Sequence, residues 1–307
     1  IMQDKNIHLA KSIDFNDTFW QHKIILIDSR NLLFPDKSIF IAFEGRFSDG
    51  HQFIDNLYHQ GVRHFIISKS IAYDAYPKAH FIRVKNAVTI LQDFARHHRQ
   101  QFNLPIIAIT GSNGKTILKE WLYLLLQQDF SLIKSPKSYN SQIGVPLSVL
   151  NINAKHNLGI FETGISQAGE MEKLAAILRP DIGIFTNIGK AHDSGFASRN
   201  AKIKEKLRLF KHCKIIIYRI DHQQIHEEIR RQKLKNCYAW GTSLQADMPV
   251  YFKSKKKSTI LFVHYRNKQF KVKIPFKNEA AIENCAHAIC TLLFLGIKPK
   301  RIEQYLP

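Results

Sequence analysis

The stretch "ITGSNGKTILKEW", from Ile109 to Trp121, decides the fold of the larger part of this 307-residue chain. An apolar run before it predicts a buried strand over 105–110, and helical spacing after it predicts a helix over 115–128. A strand, a glycine turn and a helix in this order predict a phosphate-binding loop, because the N–H groups and dipole of a helix start favour an anion. The loop departs from a standard Walker A sequence, since neither Ile109 nor Thr110, five and four residues before Gly114, is the glycine with which that sequence begins.

The loop carries the residue types that bind a nucleotide. Gly111 and Gly114 would let the backbone approach phosphate oxygens closely. Lys115 would reach the β- and γ-phosphates, and the Thr116 hydroxyl would bind Mg²⁺. The alternative is an ordinary turn with a solvent lysine, which the strand–turn–helix context disfavours. We therefore assign nucleotide binding to Thr110, Gly111, Ser112, Asn113, Gly114, Lys115 and Thr116.

The residues after this loop alternate between apolar runs and helical patterns. This alternation predicts an α/β fold with a doubly wound, mostly parallel sheet, followed by an added antiparallel hairpin region. The cluster "KSKKK" (253–257) lies between two strand-like runs and predicts a hairpin tip. The further predicted strands are 157–163, 181–188 and 213–219, and the further predicted helices are 169–179, 201–213 and 279–296.

The first hundred residues predict a smaller α/β domain. A helical pattern ends near residue 102 and Pro105 follows, which favours a boundary at 103 and hence domains 1–103 and 104–307. The predicted elements of the first domain are strands over 23–30, 38–43 and 62–68 and helices over 50–61 and 87–102.

Composition limits the class of protein. Lys and Arg number 45 against 25 Asp and Glu, giving a formal charge of +20. Such a charge suits a polyanionic partner or is simply a basic surface; no recognition motif accompanies it, so we expect no specific nucleic acid. No apolar run is long enough for membrane insertion. The four cysteines form no CxxC pair, which fits a reducing cytoplasm.

Two further side chains are candidate metal ligands. Glu162 ends a predicted strand, and His192 follows the next strand and its turn. Because the carboxyl ends of parallel strands share one edge of the sheet, both would lie near the loop. Taken singly, Glu162 could be a surface residue and His192 an ordinary loop histidine.

Six segments resemble the Mur ligase family. "TGSNGKT" (110–116) is similar to the short ATP loop that this family shares with folylpolyglutamate synthetases. The other five resemble the family branch that adds D-alanyl-D-alanine (D-Ala-D-Ala) to UDP-N-acetylmuramoyl-tripeptide (UDP-MurNAc-tripeptide). They are "DSRNLLFPDKSIFIAFEGRFSDGHQFI" (28–54), "YNSQIGVPLSVL" (139–150), "FETGISQAGEMEKL" (161–174), "TNIGKAHDSGF" (186–196) and "KEKLRLF" (204–210).

The resemblance implies an ATP-dependent amide ligase that works through an acyl phosphate. It implies two Mg²⁺ ions and a carbamylated lysine at Lys206, which composition alone would leave as a solvent lysine. The implied catalytic residues are Lys115, Lys206, His192 and Glu162, and the implied metal ligands are Thr116, Glu162, His192 and Lys206. Ser29 and Arg30 would bind the uridine diphosphate, Asn140 and Gln142 the muramoyl peptide, and Asn284 the nucleotide.

The sequence also departs from the family pattern. Ala280 and Ala281 stand where most members have a His-Asn pair near the adenine, whereas Asn284 is kept. This variant resembles members fused to an alanine racemase domain. The family's C-terminal ligase domain has no counterpart within 104–307, so the sequence predicts a fragment of a longer protein. Three alternatives stay open: a folylpolyglutamate-type ligase, a general phosphate-loop NTPase, and a nucleotide-binding fragment without turnover.

Overall fold

A computed structural model describes residues 7–9, 20, 23–45, 48–189 and 195–305 of the chain. The chain divides into two compact units, residues 1–97 and residues 98–307. The division falls inside one helix, Ala87–Gln100, which the sequence pattern assigned wholly to the first domain.

The first unit is built on a five-stranded parallel sheet with the order β1-β5-β4-β3-β2. The predicted strand 23–30 is shorter, because the Asp28 side chain accepts the N–H of Arg30 and starts a 3-10 turn. The predicted helix 50–61 begins as a 3-10 turn. The elements are β1 (Ile7–Leu9), β2 (Ile24–Leu26), β3 (Ser38–Ile41), α1 (Ile54–His59), β4 (His64–Ile67), β5 (His80–Arg83) and α2 (Ala87–Gln100).

The second unit contains a nine-stranded sheet with the order β14-β13-β12-β11-β10-β9-β6-β8-β7. Neighbours from β7 to β12 run parallel, and the last three strands are antiparallel, which confirms the predicted fold class. The strands are β6 (Ile106–Thr110), β7 (Leu132–Lys134), β8 (Leu158–Glu162), β9 (Ile182–Phe185), β10 (Ile215–Arg219), β11 (Cys237–Gly241), β12 (Met248–Ser254), β13 (Thr259–Tyr265) and β14 (Lys268–Ile274).

The helices of the second unit pack against this sheet. The predicted helix 201–213 is shorter than expected: it ends at Leu207, and a 3-10 turn follows at Arg208–Phe210. The described helices are α3 (Lys115–Leu126), α4 (Gly144–Val149), α5 (Glu170–Leu178), α6 (Arg199–Leu207), α7 (Gln223–Arg231), α8 (Glu279–Phe294) and α9 (Pro299–Tyr305). None of the helices in the described ranges is long and apolar enough to cross a bilayer.

The topology places a crevice at the end of β6. All five residues of β6 are buried, and its neighbours are β8 on one side and β9 on the other. The chain winds outward in opposite directions from β6, so the carboxyl ends of β6, β8 and β9 form the switch point where ligands bind in such sheets. Leu118 and Leu122 of α3 pack into the same core as Ile107 and Ile109, which fixes the loop between strand and helix.

Candidate active site

The loop between β6 and α3 requires glycine at two positions. Gly111 has a φ of +144°, and a Cβ there would lie 2.0 Å from the Oγ1 of Thr186. Gly114 has a φ of +83°, and a Cβ there would lie 2.6 Å from the Oδ1 of Asn284. Both are conformations that other residues rarely adopt. The close approach of Asn284 brings the start of α8 onto the loop, and its role in nucleotide binding stays a prediction.

The two polar residues that begin α3 lie at the mouth of the loop. The Nζ of Lys115 donates to the carbonyls of Gly111, at 3.0 Å, and Ser112, at 3.2 Å. Burial lowers the pKa of Lys115; attraction to Glu162 opposes this, and repulsion from Lys202 adds to it. The Thr116 hydroxyl lies 3.2 Å from the Oγ of Ser138. Both side chains therefore lie where phosphate and a phosphate-bound cation would be held.

The segment after β9 is attached to the loop. The Oγ1 of Thr186 donates to the carbonyl of Asn113 at 2.7 Å, and the N–H of Gly189 donates to the Oγ of Ser112 at 2.8 Å. The Nζ of Lys202 on α6 donates to the carbonyl of Gly189 at 2.8 Å. The loop is thus held from two sides. The predicted ligand His192 lies outside the described residues, so its role stays a prediction.

Glu162 is the carboxylate of the site and has no solvent exposure. Its Oε1 accepts from the Nδ2 of Asn140 at 3.0 Å, whereas its Oε2 is buried with no hydrogen-bond partner among the described residues. The Nζ of Lys119 lies 4.0 Å from that Oε2. A buried carboxylate oxygen without a hydrogen bond is costly, and a cation would relieve the cost. The environment of Glu162 therefore fits a metal ligand.

Lys119 is a site residue that the sequence reasoning missed. It is fully buried, and its Nζ donates to the carbonyl of Ser135 at 2.8 Å and to that of Lys137. It therefore holds the segment after β7 beside Glu162. The signal was present in the sequence: Lys119 follows Lys115 by four residues, so the two lie on one face of α3.

Lys206 lies on the buried face of α6 beside the loop. It is 3% exposed, and its Nζ donates to the carbonyl of Gly111 at 3.3 Å. Burial lowers its pKa to about 7, and repulsion from Lys115 and Lys202 adds to the effect. Lys202, one turn earlier, is also buried and was not predicted as a site residue. The structure thus places Lys206 beside the loop, and its role as a metal ligand stays a prediction.

A cavity of about 280 Å³ opens beside the loop. Asn140 and Gln142, the residues that the resemblance assigns to the muramoyl peptide, both line it, and the Nε2 of Gln142 donates to the carbonyl of Glu170 at 3.2 Å. Lys115 and Lys206 line it as well. The remaining lining residues are Gly111, Ser112, Ser141, Ile143, Gly164, Ile165, Ser166 and Glu170.

Near Ala280 and Ala281, α8 carries a charged network in place of the usual His-Asn pair. The Nε2 of His222 lies 2.5 Å from the Oε1 of Glu283, and the Nε2 of His287 lies 3.8 Å from the same oxygen. Burial alone would raise the pKa of Glu283, but the hydrogen bond with His222 and the nearby ring of His287 outweigh burial and hold the pKa at about 2. The network fixes the first turns of α8, which carry Asn284.

In the first unit, Ser29 and Arg30 line a separate cavity of about 560 Å³. Arg30 is exposed and binds Asp28 through two hydrogen bonds, Nε to Oδ1 at 2.8 Å and Nη2 to Oδ2 at 2.6 Å. That contact lowers the pKa of Asp28 to about 2. Asp49 accepts from both the backbone N–H and the Nδ1 of His51, so these two residues stabilise a turn.

The fold and the site together define a phosphate-loop nucleotide-binding protein of the doubly wound class. Residues 109–292 match the model of the Mur ligase middle domain. The chain belongs to the Mur ligase family, which confirms the resemblance found in the sequence.

Two curated relatives extend this similarity over both units. The UDP-N-acetylmuramoyl-tripeptide–D-alanyl-D-alanine ligase of Bacillus subtilis (strain 168) is 28% identical over 90% of this chain and 59% of its own length. The enzyme of the same name from Rickettsia prowazekii (strain Madrid E) is 31% identical over 100% of this chain and 68% of its own length. The chain thus spans about three fifths of the first relatives it matches.

Among solved structures, the MurF ligase from Thermotoga maritima in complex with ADP superimposes with a TM-score of 0.81 and 26% identity. The match covers 94% of this chain and 66% of that one. MurF from Acinetobacter baumannii gives a TM-score of 0.82 at 24% identity and supports the fold alone.

Proposed function

We propose that this chain is the N-terminal and central part of an ATP-dependent ligase that adds D-Ala-D-Ala to UDP-MurNAc-tripeptide in peptidoglycan synthesis. One observation carries the proposal: Lys115, Lys206 and the buried carboxylate of Glu162 converge on one glycine loop beside a cavity. Such a cluster suits the transfer of a phosphoryl group between two anions, where charge must be neutralised. The names of the relatives supply the substrates.

ATP is the proposed phosphoryl donor. The N–H groups at the start of α3 face its phosphates, and the ammonium of Lys115 exchanges its carbonyl contacts for β- and γ-phosphate oxygens. Asn284 borders Gly114 and lies where the nucleoside would continue from the phosphates. The ADP complex of the Thermotoga relative supports nucleotide binding by this fold.

Mg²⁺ is the proposed metal, and the residues present fit it. Thr116 would hold the first ion together with the Oε2 of Glu162, which accepts no hydrogen bond among the described residues. Lys206 in carbamylated form and His192 would hold a second. Mg²⁺ supplies charge neutralisation on the phosphates and suits oxygen ligands.

Carbamylation of Lys206 supports this ligand set. Only a neutral amine adds CO₂, and the burial of Lys206 disfavours its charged form. The product is an anionic oxygen ligand, whereas an ammonium would repel a cation. The nearby ammonium groups of Lys115 and Lys202 would stabilise the new negative charge.

Two groups of residues are proposed to bind the acceptor, UDP-MurNAc-tripeptide. Ser29 and Arg30 are proposed to bind the uridine diphosphate, with the Arg30 fork exchanging Asp28 for phosphate oxygens. Asn140 and Gln142 are proposed to contact the muramoyl peptide at the cavity. In the first step, the terminal carboxylate of the peptide attacks the γ-phosphorus of ATP, and ADP leaves. In the second step, the amine of D-Ala-D-Ala attacks the carbon of the acyl phosphate and loses a proton, and phosphate leaves.

Several expectations accompany the proposal. ATP and reduced cysteines suit the cytoplasm as its location. The domain boundary at 103, a C-terminal ligase domain and a fused racemase domain stay predictions.

The test uses the full-length protein and measures ADP release. We expect release to require UDP-MurNAc-tripeptide and to rise further with D-Ala-D-Ala. If the rate of ADP release does not depend on either substrate, the protein is a general NTPase. If ADP release depends on a folate and glutamate instead, a folylpolyglutamate-type ligase is favoured.

A further inference from the structure

One continuous stretch of the chain carries basic residues without any acidic residue. Residues 248–278 contain nine Lys and Arg residues and no Asp or Glu. All nine are exposed, and no ion pair in the described part of the chain involves any of them. They are Lys253, Lys255, Lys256, Lys257, Arg266, Lys268, Lys271, Lys273 and Lys277.

The strand register brings several of these residues onto one surface. Alternation along β12, β13 and β14 turns Val250, Leu261 and Val272 into the core. The opposite side carries two cross-strand rows. We call this side, with the three lysines of the β12–β13 turn, the basic face; its rows are Lys253–Ile260–Lys273 and Tyr251–Phe262–Lys271.

The aromatic rings of the basic face already have partners. The Nζ of Lys271 lies 5.6 Å from the ring centroid of Phe262. Tyr251 meets the ring of His264 edge-on, with the centroids 5.7 Å apart. Single-stranded nucleic acid binds by stacking bases on free ring faces, so these contacts disfavour it as the partner.

The predominance of lysine over arginine also favours a polyanion other than nucleic acid. Eight of the nine are lysines. A lysine ammonium is a compact charge without fixed geometry, whereas arginine is the residue that recognises nucleic-acid phosphates and bases in two-pronged contacts. Lysines suit a fluid layer of phosphates, which presents negative charge without a fixed arrangement.

We propose that the basic face docks on the surface of a bilayer rich in anionic phospholipid. Each basic residue near such a surface contributes about 1 kcal/mol, so the three lysines of the turn at 255–257 and those of the two rows together give reversible binding without a spanning segment. The proposal does not rest on the proposed ligase function.

Vesicle sedimentation of the full-length protein tests this proposal. We expect binding to vesicles that contain phosphatidylglycerol, little binding to pure phosphatidylcholine, and a steep loss of binding as salt screens the charges. The triple variant Lys255→Glu, Lys256→Glu, Lys257→Glu should bind the anionic vesicles at least about 100-fold more weakly. Activity in solution without vesicles should be unchanged.

The matched control removes the same charge from other exposed lysines: Lys155→Glu, Lys173→Glu, Lys235→Glu. This variant should keep most of the binding. The proposal would be overturned if the two triple variants lost the same amount of vesicle binding, or if the protein bound neutral and anionic vesicles equally. Tighter binding to a single-stranded oligonucleotide than to vesicles of equal phosphate concentration would overturn it in favour of nucleic acid.

Discussion

Gly111 lies at a tightly packed point of the loop between β6 and α3. Its φ of +144° and the distance of 2.0 Å that would separate a Cβ at this position from the Oγ1 of Thr186 leave no room for a side chain. We expect Gly111→Ala to lower the free energy of unfolding by about 2–4 kcal/mol, from strain and overpacking together. Urea denaturation measures the change.

Gly169 provides the control for this substitution. It also has a positive φ, +83°, but nothing lies within 4 Å of a Cβ there. Gly169→Ala should therefore cost only the backbone strain, about 1 kcal/mol. If Gly169→Ala lowers the free energy of unfolding as much as Gly111→Ala does, crowding against Thr186 contributes nothing.

Lys206 is the residue whose proposed chemistry depends most on its surroundings. Lys206→Ala removes the proposed anionic ligand, and we expect the rate of ADP release to fall about 100-fold or more. Formate or acetate should restore part of the rate by supplying carboxylate oxygens. Lys204→Ala, on the exposed side of α6, is the control and should retain its activity. An unchanged rate in Lys206→Ala would remove the carbamate from the account.

At the scale of elements, one buried carboxylate joins α6 to α5. The Oε1 of Glu205 accepts the N–H of Gly169 at 2.8 Å and that of Met171 at 3.0 Å. This contact caps α5 and sets the position of α6, and with it Lys206. We expect Glu205→Ala to cost about 1–3 kcal/mol of stability and to reduce activity, because two buried N–H groups lose their acceptor.

A conservative change at the same position separates capping from charge. Glu205→Gln keeps an oxygen at the helix start and should retain most of the activity. Glu227→Ala, on the exposed side of α7, is the control for general helix effects. Thermal unfolding and ADP release are measured on all three variants. Equal behaviour of Glu205→Ala and Glu227→Ala would contradict the positioning role.

The network at the start of α8 predicts a pH dependence. The pKa of Glu283 is about 2 in the folded protein, against 4.5 for an unperturbed glutamate. Its ionised form therefore stabilises the fold by about 3 kcal/mol above pH 4.5, and this contribution is lost as the pH falls toward 2. The difference in unfolding free energy between the wild type and Glu283→Gln should narrow as the pH falls from about 5 to 3.

Glu279 provides the comparison on the same helix. It is exposed and pairs with Arg219, which also lies 3.7 Å from Glu283. Glu279→Gln should change stability little, with no marked pH dependence. If the difference in unfolding free energy between the wild type and Glu283→Gln stays constant with pH, the histidine contacts do not hold the carboxylate of Glu283 ionised.

The sequence predicted the elements that have long apolar or amphipathic patterns. β6, β8, β9, β10, α3, α5 and α8 were all placed to within a few residues. It missed β5, β7, β11, α4 and α7, which are short or lack a clear period, since their stability comes from neighbouring elements. Strand 23–30 was overextended because the side chain of Asp28 starts a turn there.

The site was predictable where a motif or a strand end marked it. The loop and Glu162 follow from such signals, whereas Asn140 and Gln142, which line the cavity, came from the family resemblance. Lys206 required the family resemblance, since sequence alone cannot tell a buried lysine from its exposed neighbours on α6. Lys202 was missed for the same reason, whereas Lys119 was missed although its spacing of four residues from Lys115 places both on one face of α3.

At the scale of the whole molecule, two features lie in different parts of the second unit. The lysines of the candidate active site converge at the carboxyl ends of β6 and β9, whereas the exposed lysines cluster on β12–β14. The +20 charge therefore has at least two physical origins. The lysines at the strand ends serve the proposed phosphoryl transfer. The lysines on β12–β14 serve the proposed docking of the molecule on an anionic surface.

The fate of one oxygen atom tests the central claim most directly. UDP-MurNAc-tripeptide labelled with oxygen-18 in its terminal carboxylate is incubated with ATP, Mg²⁺, D-Ala-D-Ala and the full-length protein. An acyl phosphate requires one labelled oxygen to pass from the carboxylate to inorganic phosphate, in step with amide formation, and mass spectrometry should find it there. Phosphate that carries no label while the amide forms, or ATP cleavage without any amide, would contradict the account.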